Sequence, residues 1–274
     1  MKVIASLSEL NDLAGAGKLS GLFRVPMDLY HSGPGIGSSG LKDILKSPAH
    51  YKASREEPRT ETSSQRFGTL THLRLLEPAL YTETVHVRRP CPVPPERPAH
   101  LAHLNRRSKE SKAALEAWEA TWRLEYDAAV AAWEREGEGK VLISASEAVD
   151  LDRIATAAAD NALATSILSI GDAEVSCYWT DEPTGVLCKA RADWLRDGTI
   201  FDLKTCYNAK ADEFLKAVAK YQYHLSAAFY LDGFSTVMDV NKFAWLAVES
   251  SPPHCISFFA ADQETLNTGR SDYR

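Results

Sequence analysis

The sequence lacks any long apolar run, which excludes an integral membrane protein of the helical type. No segment approaches the roughly 20 apolar residues that cross a bilayer. The first residues, Met1–Glu9, also lack the apolar core and the small-residue cleavage site of a secretory signal. We therefore expect a cytoplasmic protein with no membrane partner.

Cysteine is scarce, and its spacing excludes two further classes. The chain has five cysteines in 274 residues, an odd number, and no two of them form a C-x-x-C pair. A disulfide framework and a zinc ribbon both need paired cysteines. Cys177 and Cys188 fall on the apolar faces of predicted strands, and we expect them to be core thiols.

The sequence also has fewer basic than acidic residues, 31 against 37. The formal net charge is −6, whereas a protein that coats DNA over its whole surface needs an excess of cations. A local basic groove is compatible with this balance. The densest cationic stretch either contacts DNA or is a solvated loop and helix start, and it contains Arg88, Arg89, Arg97, Arg106, Arg107, Lys109 and Lys112.

The composition, 45% hydrophobic and 25% charged, is that of an ordinary globular chain, and we expect a single domain over residues 1–274. The predicted fold class is α/β, with a mixed central sheet flanked by helices. Three regions are expected within it: N-terminal helices at about 30–90, a linker with a helical elaboration at about 91–165, and the catalytic sheet with its helix at about 170–260. The predicted helices include 40–46, 109–136 and 211–231.

Acidic and basic side chains share one face of a predicted hairpin. Val186–Leu195 alternates, so that Arg191 and Asp193 lie on one face. After a turn at 196–198, Asp202 and Lys204 share a face of the next strand. Glu174 begins another alternating strand, and its carboxylate could join the same cluster.

Carboxylates buried at close range repel one another unless a cation lies between them. Oxygen ligands suit Mg²⁺ or Mn²⁺, and two ions roughly 3.5–4 Å apart can stabilise both the attacking and the leaving oxygen of a phosphodiester. The lysine would orient or deprotonate a water. The alternative is a solvated hairpin face with surface ion pairs.

Several separated blocks, in the same order, resemble the RecE-type exonucleases (exodeoxyribonuclease VIII) of the PD-(D/E)XK nuclease superfamily. The resemblance runs from about Tyr30 to about Phe259. The blocks are Tyr30-His31, Ser38–Lys42, Ser47–Tyr51, Phe67–His72, Leu75–Pro78, Glu174–Trp179, Cys188–Asp193, Asp202–Thr205 and Tyr221–His224.

The resemblance implies a Mg²⁺-dependent exonuclease that degrades double-stranded DNA from 5′ to 3′ and leaves 3′ tails for recombination by single-strand annealing. It also implies a bacterial or phage-encoded protein, a ring-shaped homo-oligomer of three or four copies, and an annealing protein as partner. By the same resemblance, the metal ligands would be Asp193, Asp202, His72 and the Leu203 carbonyl. Lys204 would position and activate the water, and Glu174 would be a second-shell or transient ligand.

DNA contacts are expected at two further places. The start of the helix near Ser38, Ser39 and Lys42 could hold a 5′-terminal phosphate, although serines there could serve only as caps. Arg191 is a further candidate contact.

Many relatives carry a Gln-x-x-x-Tyr pair that supports the scissile phosphate or its water. Here Ser226 stands in place of the glutamine, and Tyr230 is retained. Either Gln222, one turn earlier, substitutes for it, or the activity is reduced.

Two rival functions stay open at this point. Another nuclease of the superfamily, such as an endonuclease or junction resolvase, would use the same carboxylates. A non-catalytic DNA-binding scaffold for recombination could have kept the fold.

Relatives usually have a further C-terminal helix, and the end at Arg274 predicts a shortened version.

Overall fold

The computed structural model describes residues 1–57 and 61–274. Contacts divide the chain into two units, residues 1–78 with 150–274, and residues 79–149. Within the described residues the strands are β1 (Lys2–Val3), β2 (Gly21–Arg24), β3 (Val85–Val87), β4 (Val141–Ile143), β5 (Asp172–Asp181), β6 (Val186–Arg196), β7 (Thr199–Cys206), β8 (Lys242–Glu249) and β9 (Ile256–Ala260).

The α-helices in the same part of the chain are α1 (Leu7–Gly15), α2 (Met27–Ser32), α3 (Ser38–Lys46), α4 (Pro48–Glu56), α5 (Ser63–Leu76), α6 (Pro78–Thr84), α7 (Lys109–Arg135), α8 (Ala145–Asp160), α9 (Ala162–Leu168), α10 (Ala211–Lys220), α11 (Tyr223–Ser235) and α12 (Gln263–Tyr273). No helix among the described residues is both long enough and apolar enough to span a membrane.

A seven-stranded sheet organises the larger unit, in the order β1-β2-β5-β6-β7-β8-β9. The pairs β1/β2 and β7/β8 are parallel and the other neighbours are antiparallel, so the sheet is mixed. This confirms the predicted α/β class with a mixed central sheet. The β6–β7 hairpin also forms where the alternation of residues predicts it.

Apolar clusters cover both faces of this sheet. On one face α11 contributes Phe229 and Phe234 to a core that includes Trp245 of β8. On the other face Leu76 of α5 and Ile154 of α8 pack with residues of β7 and β8. The site described below lies between these two layers, at the middle of the sheet.

A buried lysine ties the segment before α3 to the sheet. Lys189 of β6 donates from Nζ to the carbonyls of Tyr30 (2.6 Å) and Gly33 (2.7 Å). Ile36 pairs with the same strand, because its N–H donates to Leu187 and its carbonyl accepts from the Lys189 N–H, each at 2.9 Å. The first turn of α3 is therefore held in a fixed position.

Two sequence expectations are wrong at the level of elements. The predicted helix 211–231 is two helices, because Gln222 adopts a left-handed backbone conformation (φ 52°, ψ 45°). The final strand is followed by α12, where no further helix was expected.

The smaller unit contains the long helix α7 and the parallel pair β3/β4. Along α7, the rings of Trp118 and Tyr126 each lie 5.5 Å from the ring of Trp122. Two arginines of the predicted cationic stretch make contacts inside this unit. Arg88 lies 3.4 Å from the ring centroid of Trp133, and Arg89 donates to Glu136.

Candidate active site

The hairpin strands β6 and β7 pair near the turn and then separate. Their register runs from Arg196–Thr199 to Trp194–Phe201 and stops before Asp193 and Asp202. The Leu203 N–H donates instead to Oδ2 of Asp193 at 2.7 Å. A backbone donor in a partly buried place needs an acceptor, so the Asp193 carboxylate is fixed where the strands diverge.

Glu174 lies opposite this point, on β5, in an unusual backbone conformation. Its φ is 53°, a left-handed value that costs a non-glycine residue about 1 kcal/mol or more. The side-chain alternation also inverts here, since Ala173 packs in one apolar cluster and Val175 in the other. Ala192 and Trp194 of β6 also lie in different apolar clusters, whereas simple alternation places them on the same face.

His72 reaches the same place from α5. One turn earlier, Gly68 packs closely on β7, where an added Cβ would lie 3.3 Å from Oγ1 of Thr205. The Nε2 of His72 lies 3.0 Å from the Leu203 carbonyl oxygen. A carbonyl can only accept, so Nε2 carries the proton and the other nitrogen, Nδ1, faces the carboxylates.

The side chains of His72, Glu174 and Asp193 form a group that suits a divalent metal. Their candidate ligand atoms all lie within 4.8 Å of one another. Nδ1 of His72 is 3.9 Å from Glu174 Oε1 and 3.7 Å from Asp193 Oδ2. A histidine ligand commonly donates its second N–H to a backbone carbonyl, as the His72 ring does here.

The electrostatics of the group favour a cation. Burial lowers the pKa of His72, but the carboxylates of Asp193 and Glu174 outweigh burial and raise the pKa above its ordinary value. The site therefore attracts positive charge. A bound Mg²⁺ or Mn²⁺ would satisfy the same carboxylates, and the donor set fits such an ion.

Asp202, which is buried, and Lys204, which is partly buried, form an ion pair beside this group, with Lys204 Nζ 2.6 Å from Asp202 Oδ2. Lys204 also donates to the Leu203 carbonyl at 3.2 Å. Burial lowers the pKa of Lys204, yet Asp202 and Asp193 raise it well above the ordinary value, so the amine stays protonated.

The set brought together differs from the predicted ligand set. Glu174, expected only as a second-shell or transient ligand, stands with His72 and Asp193, whereas Asp202 is paired with Lys204. The Leu203 carbonyl orients the His72 ring. Sequence alternation could not show this exchange, because it depends on the backbone of Glu174.

The predicted phosphate pocket lies next to the ion pair. The N-cap of α3 is Gly37, so neither Ser38 nor Ser39 serves as the cap. Ser38 is buried, with Oγ 3.5 Å from the Tyr230 hydroxyl, and Ser39 is exposed. Burial and the nearby Lys204 lower the pKa of Lys42 to about 8.

Arg191 does not lie where a DNA contact needs it. Its side chain is 6% exposed and donates to Ser176 Oγ and to the Val25 carbonyl. The guanidinium also lies 3.7 Å from Glu174 Oε2. The placement does not fit the predicted DNA contact and makes Arg191 an internal support of Glu174.

Ser226 is buried within α11, and Gln222 precedes that helix, so the two do not share a continuous helix as expected. Tyr230 does lie at the site. Burial and the nearby Asp202 raise the pKa of its hydroxyl to about 12.

Sequence reasoning missed Tyr223, whose ring centroid lies 5.4 Å from Lys204 Nζ and 5.6 Å from Lys42 Nζ. It also gave no role to Glu77, whose pKa is raised by burial and by the nearby Glu174. Both residues stand in blocks that carry the family resemblance, which is the one signal that could have drawn attention to them.

Residues 37–274 match the family model described as a PDDEXK-like domain of unknown function (DUF3799). The chain belongs to this family. It is thereby a member of the PD-(D/E)XK superfamily.

The fold is also similar to that of a solved protein from Eubacterium rectale named "Putative exonuclease". The two share 10% identity with a TM-score of 0.53, over 88% of this chain and 77% of the other. The structure of SSO0001 aligns at 15% identity over 57% of this chain and 68% of the other, with a TM-score of 0.28, too low for any argument. None of the curated proteins compared matches the sequence.

Proposed function

We propose that this protein is a Mg²⁺-dependent exonuclease of the RecE type, which degrades double-stranded DNA from the 5′ end and leaves 3′ single-stranded tails. The observation that carries the proposal is the convergence of three ligand side chains, His72, Glu174 and Asp193, beside the Asp202–Lys204 ion pair. Such a cluster is costly to bury without a function.

His72, Glu174 and Asp193 would hold the metal, and Asp202 is the carboxylate next to them for a second ion. A bound Mg²⁺ would stabilise charge on the phosphate and lower the pKa of a bound water. Mn²⁺ has the same preference for oxygen ligands with imidazole and should substitute.

Lys204 would orient the attacking water and stabilise negative charge. Since its amine stays protonated, it can donate hydrogen bonds but cannot take a proton. Of the two predicted roles for this lysine, orientation is the one that its surroundings support.

The start of α3 would bind the 5′-terminal phosphate. Its first N–H groups have no partners inside the helix, and Lys42, one turn later, lies close enough to Lys204 and Asp202 to feel their charges. This arrangement would place the end of the strand next to the hydrolytic site.

The direction of digestion, the annealing partner and the ring assembly rest on the RecE resemblance. A ring of three or four copies of the 30.2 kDa chain is checked by its mass in solution. A mass of one copy at working concentration would contradict the ring.

The decisive assay compares end-labelled linear duplex DNA with a covalently closed circle, in Mg²⁺ and in EDTA. We expect loss of the linear DNA only in Mg²⁺, with the circle intact. Asp193→Asn and Lys204→Ala should abolish the loss. Asp197→Asn, in the exposed turn of the same hairpin, is the matched control and should stay active.

Cleavage of the circle would favour the endonuclease alternative. Binding of DNA without cleavage in Mg²⁺ would favour the scaffold alternative. Full activity of both site variants would refute the assigned chemistry.

A further inference from the structure

A stacked pair of tyrosines leads from the partly buried Lys204 of the site to the protein surface. The ring centroids of Tyr221 and Tyr223 are 5.6 Å apart, with 30° between the planes. Tyr223 lies against Lys204 and Lys42. Tyr221 is 50% exposed. The accessible ring of Tyr221 therefore stacks on the ring that contacts the Lys204 amine, which we place at the scissile phosphate.

The backbone that carries Tyr221 is held in place. Its carbonyl accepts a hydrogen bond from Lys42 Nζ at 2.9 Å. The next residue, Gln222, has φ 52° and turns the chain from α10 into α11. A left-handed glutamine costs about 1 kcal/mol or more, so the turn between the two tyrosines is strained.

Packing explains Tyr223 but not Tyr221. The ring of Tyr223 lies 6.4 Å from that of Phe214 and is partly buried. Half of Tyr221 stays in water. Its ring has the exposed Lys220 ammonium 5.0 Å from its centroid, and that flexible amine can move to a phosphate.

The chemistry of this surface fits one kind of ligand. An exposed aromatic face offers stacking, and three neighbouring lysines, Lys42, Lys204 and Lys220, offer contacts to phosphates. Nucleotides combine a flat π-system with phosphate at each step, and aromatic stacking accepts any base.

We propose that Tyr221 stacks on a nucleobase of the strand being cleaved, at or next to the nucleotide whose phosphate meets Lys204. The proposal rests on the nuclease function above and adds to it. Bases inside a duplex already stack on both sides, so the base that reaches Tyr221 is one released from pairing at the end of the duplex.

The test is a coupling experiment between protein and DNA. Tyr221→Leu keeps an apolar side chain but removes the aromatic ring. Linear duplexes carry one abasic nucleotide, moved stepwise along the first residues of each strand. KM and kcat/KM are measured in Mg²⁺ for every combination.

On the intact duplex, Tyr221→Leu should lower kcat/KM by about five- to hundredfold, mainly through a higher KM, the range expected from losing one stacked base. At one abasic position the wild type should show the same loss, and Tyr221→Leu should add nothing further. Tyr221→Phe, which keeps the ring, should retain this coupling. Leu215→Ala, an exposed apolar residue of α10, is the control and should behave as wild type.

Independent losses at every abasic position, or an unchanged KM for Tyr221→Leu, would overturn the stacking role while leaving the nuclease assignment intact. A wild-type protein that cleaves none of these DNAs in Mg²⁺ would overturn the proposed function itself, and the stacking role with it.

Discussion

At the scale of single residues, Glu174 combines a strained backbone conformation with a carboxylate positioned in the candidate site. Its left-handed conformation inverts the alternation of β5 and places its carboxylate beside His72 and Asp193. Arg191 supports it from the interior. A strained residue in a strand persists only where the surroundings over-determine it, and here those surroundings are the candidate metal centre.

Replacing Glu174 either by asparagine or by valine, which are similar in size to each other, separates the effect of the backbone conformation from the effect of losing the carboxylate. Asparagine tolerates the left-handed region, whereas β-branched valine does not. We expect the free energy of unfolding of Glu174→Val to be about 1–2 kcal/mol lower than that of Glu174→Asn, measured by urea denaturation in EDTA. Both should lose Mg²⁺-dependent cleavage. Equal stabilities would show that position 174 does not need this conformation.

Lys42 gives the site a predicted pH dependence. Because the pKa of Lys42 is lowered to about 8, the amine loses its charge as pH rises through that value and its attraction for a terminal phosphate falls. The preference for 5′-phosphorylated over 5′-hydroxyl duplexes should fall by roughly tenfold between pH 7 and pH 9.

The control for this profile is Lys42→Arg, which stays charged throughout. Its preference should not change over the same range of pH. A wild-type profile that is equally flat would remove Lys42 from the phosphate pocket.

At the scale of elements, α12 is attached to α11 by a charged cluster and by close packing. Arg270 donates to both carboxylate oxygens of Asp232, and Tyr273 donates to the same group. An added Cβ on Gly269 would lie 2.2 Å from the His224 carbonyl oxygen. These contacts hold α12 against the helix that carries Tyr223 and Tyr230.

The Asp232 cluster should make stability depend on pH in the acidic range. Burial raises the pKa of Asp232, but Arg270 and Tyr273 outweigh burial and lower it below its ordinary value. A carboxyl with a lowered folded-state pKa stabilises the fold above its unfolded pKa of about 3.9. That contribution is lost as pH falls through the folded-state value.

Asp232→Asn should therefore cost about 1–2 kcal/mol of unfolding free energy at pH 7. The difference from wild type should shrink toward pH 3 when urea unfolding is repeated across this range. Asp239→Asn, an exposed change nearby in sequence, serves as the control. A difference that is constant with pH would show that the ion pair does not contribute.

Sequence patterns predicted the hairpin and its charged face, because two-residue alternation directly indicates which side chains share a face. They did not predict the break between α10 and α11. The segment 211–231 contains neither glycine nor proline, and its helical spacing continues through Gln222. They also missed β1 and β2, which are too short to show a period, and the inversion at Glu174, which has no composition signal.

At the scale of the whole molecule, the acidic site sits in a chain of net charge −6. For DNA, the proposed substrate, this charge gives a repulsion that salt screens beyond about 10 Å, so the proposed function requires affinity from local contacts and bound cations. The smaller unit, residues 79–149, overlaps the helical elaboration predicted at 91–165. A single domain over the whole chain stays a prediction.

Metal should stabilise the entire fold, because the three ligands come from α5, β5 and β6 and meet only in the folded state. At a Mg²⁺ concentration 100 times the dissociation constant, the gain is about 2.7 kcal/mol. We expect a higher midpoint of thermal unfolding in Mg²⁺ than in EDTA, and no shift for Asp193→Asn. The Asp197→Asn control should shift as wild type does, and a metal response retained by Asp193→Asn would contradict the ligand set.

The separation of β6 from β7 leaves one amide, that of Leu203, bonded to a carboxylate instead of to a neighbouring strand. In a nitrogen-15 correlation spectrum, the resonance of this amide would sense any ion that draws electron density from Asp193. Titrating magnesium while following that single peak would report occupancy of the centre directly, without DNA and without turnover.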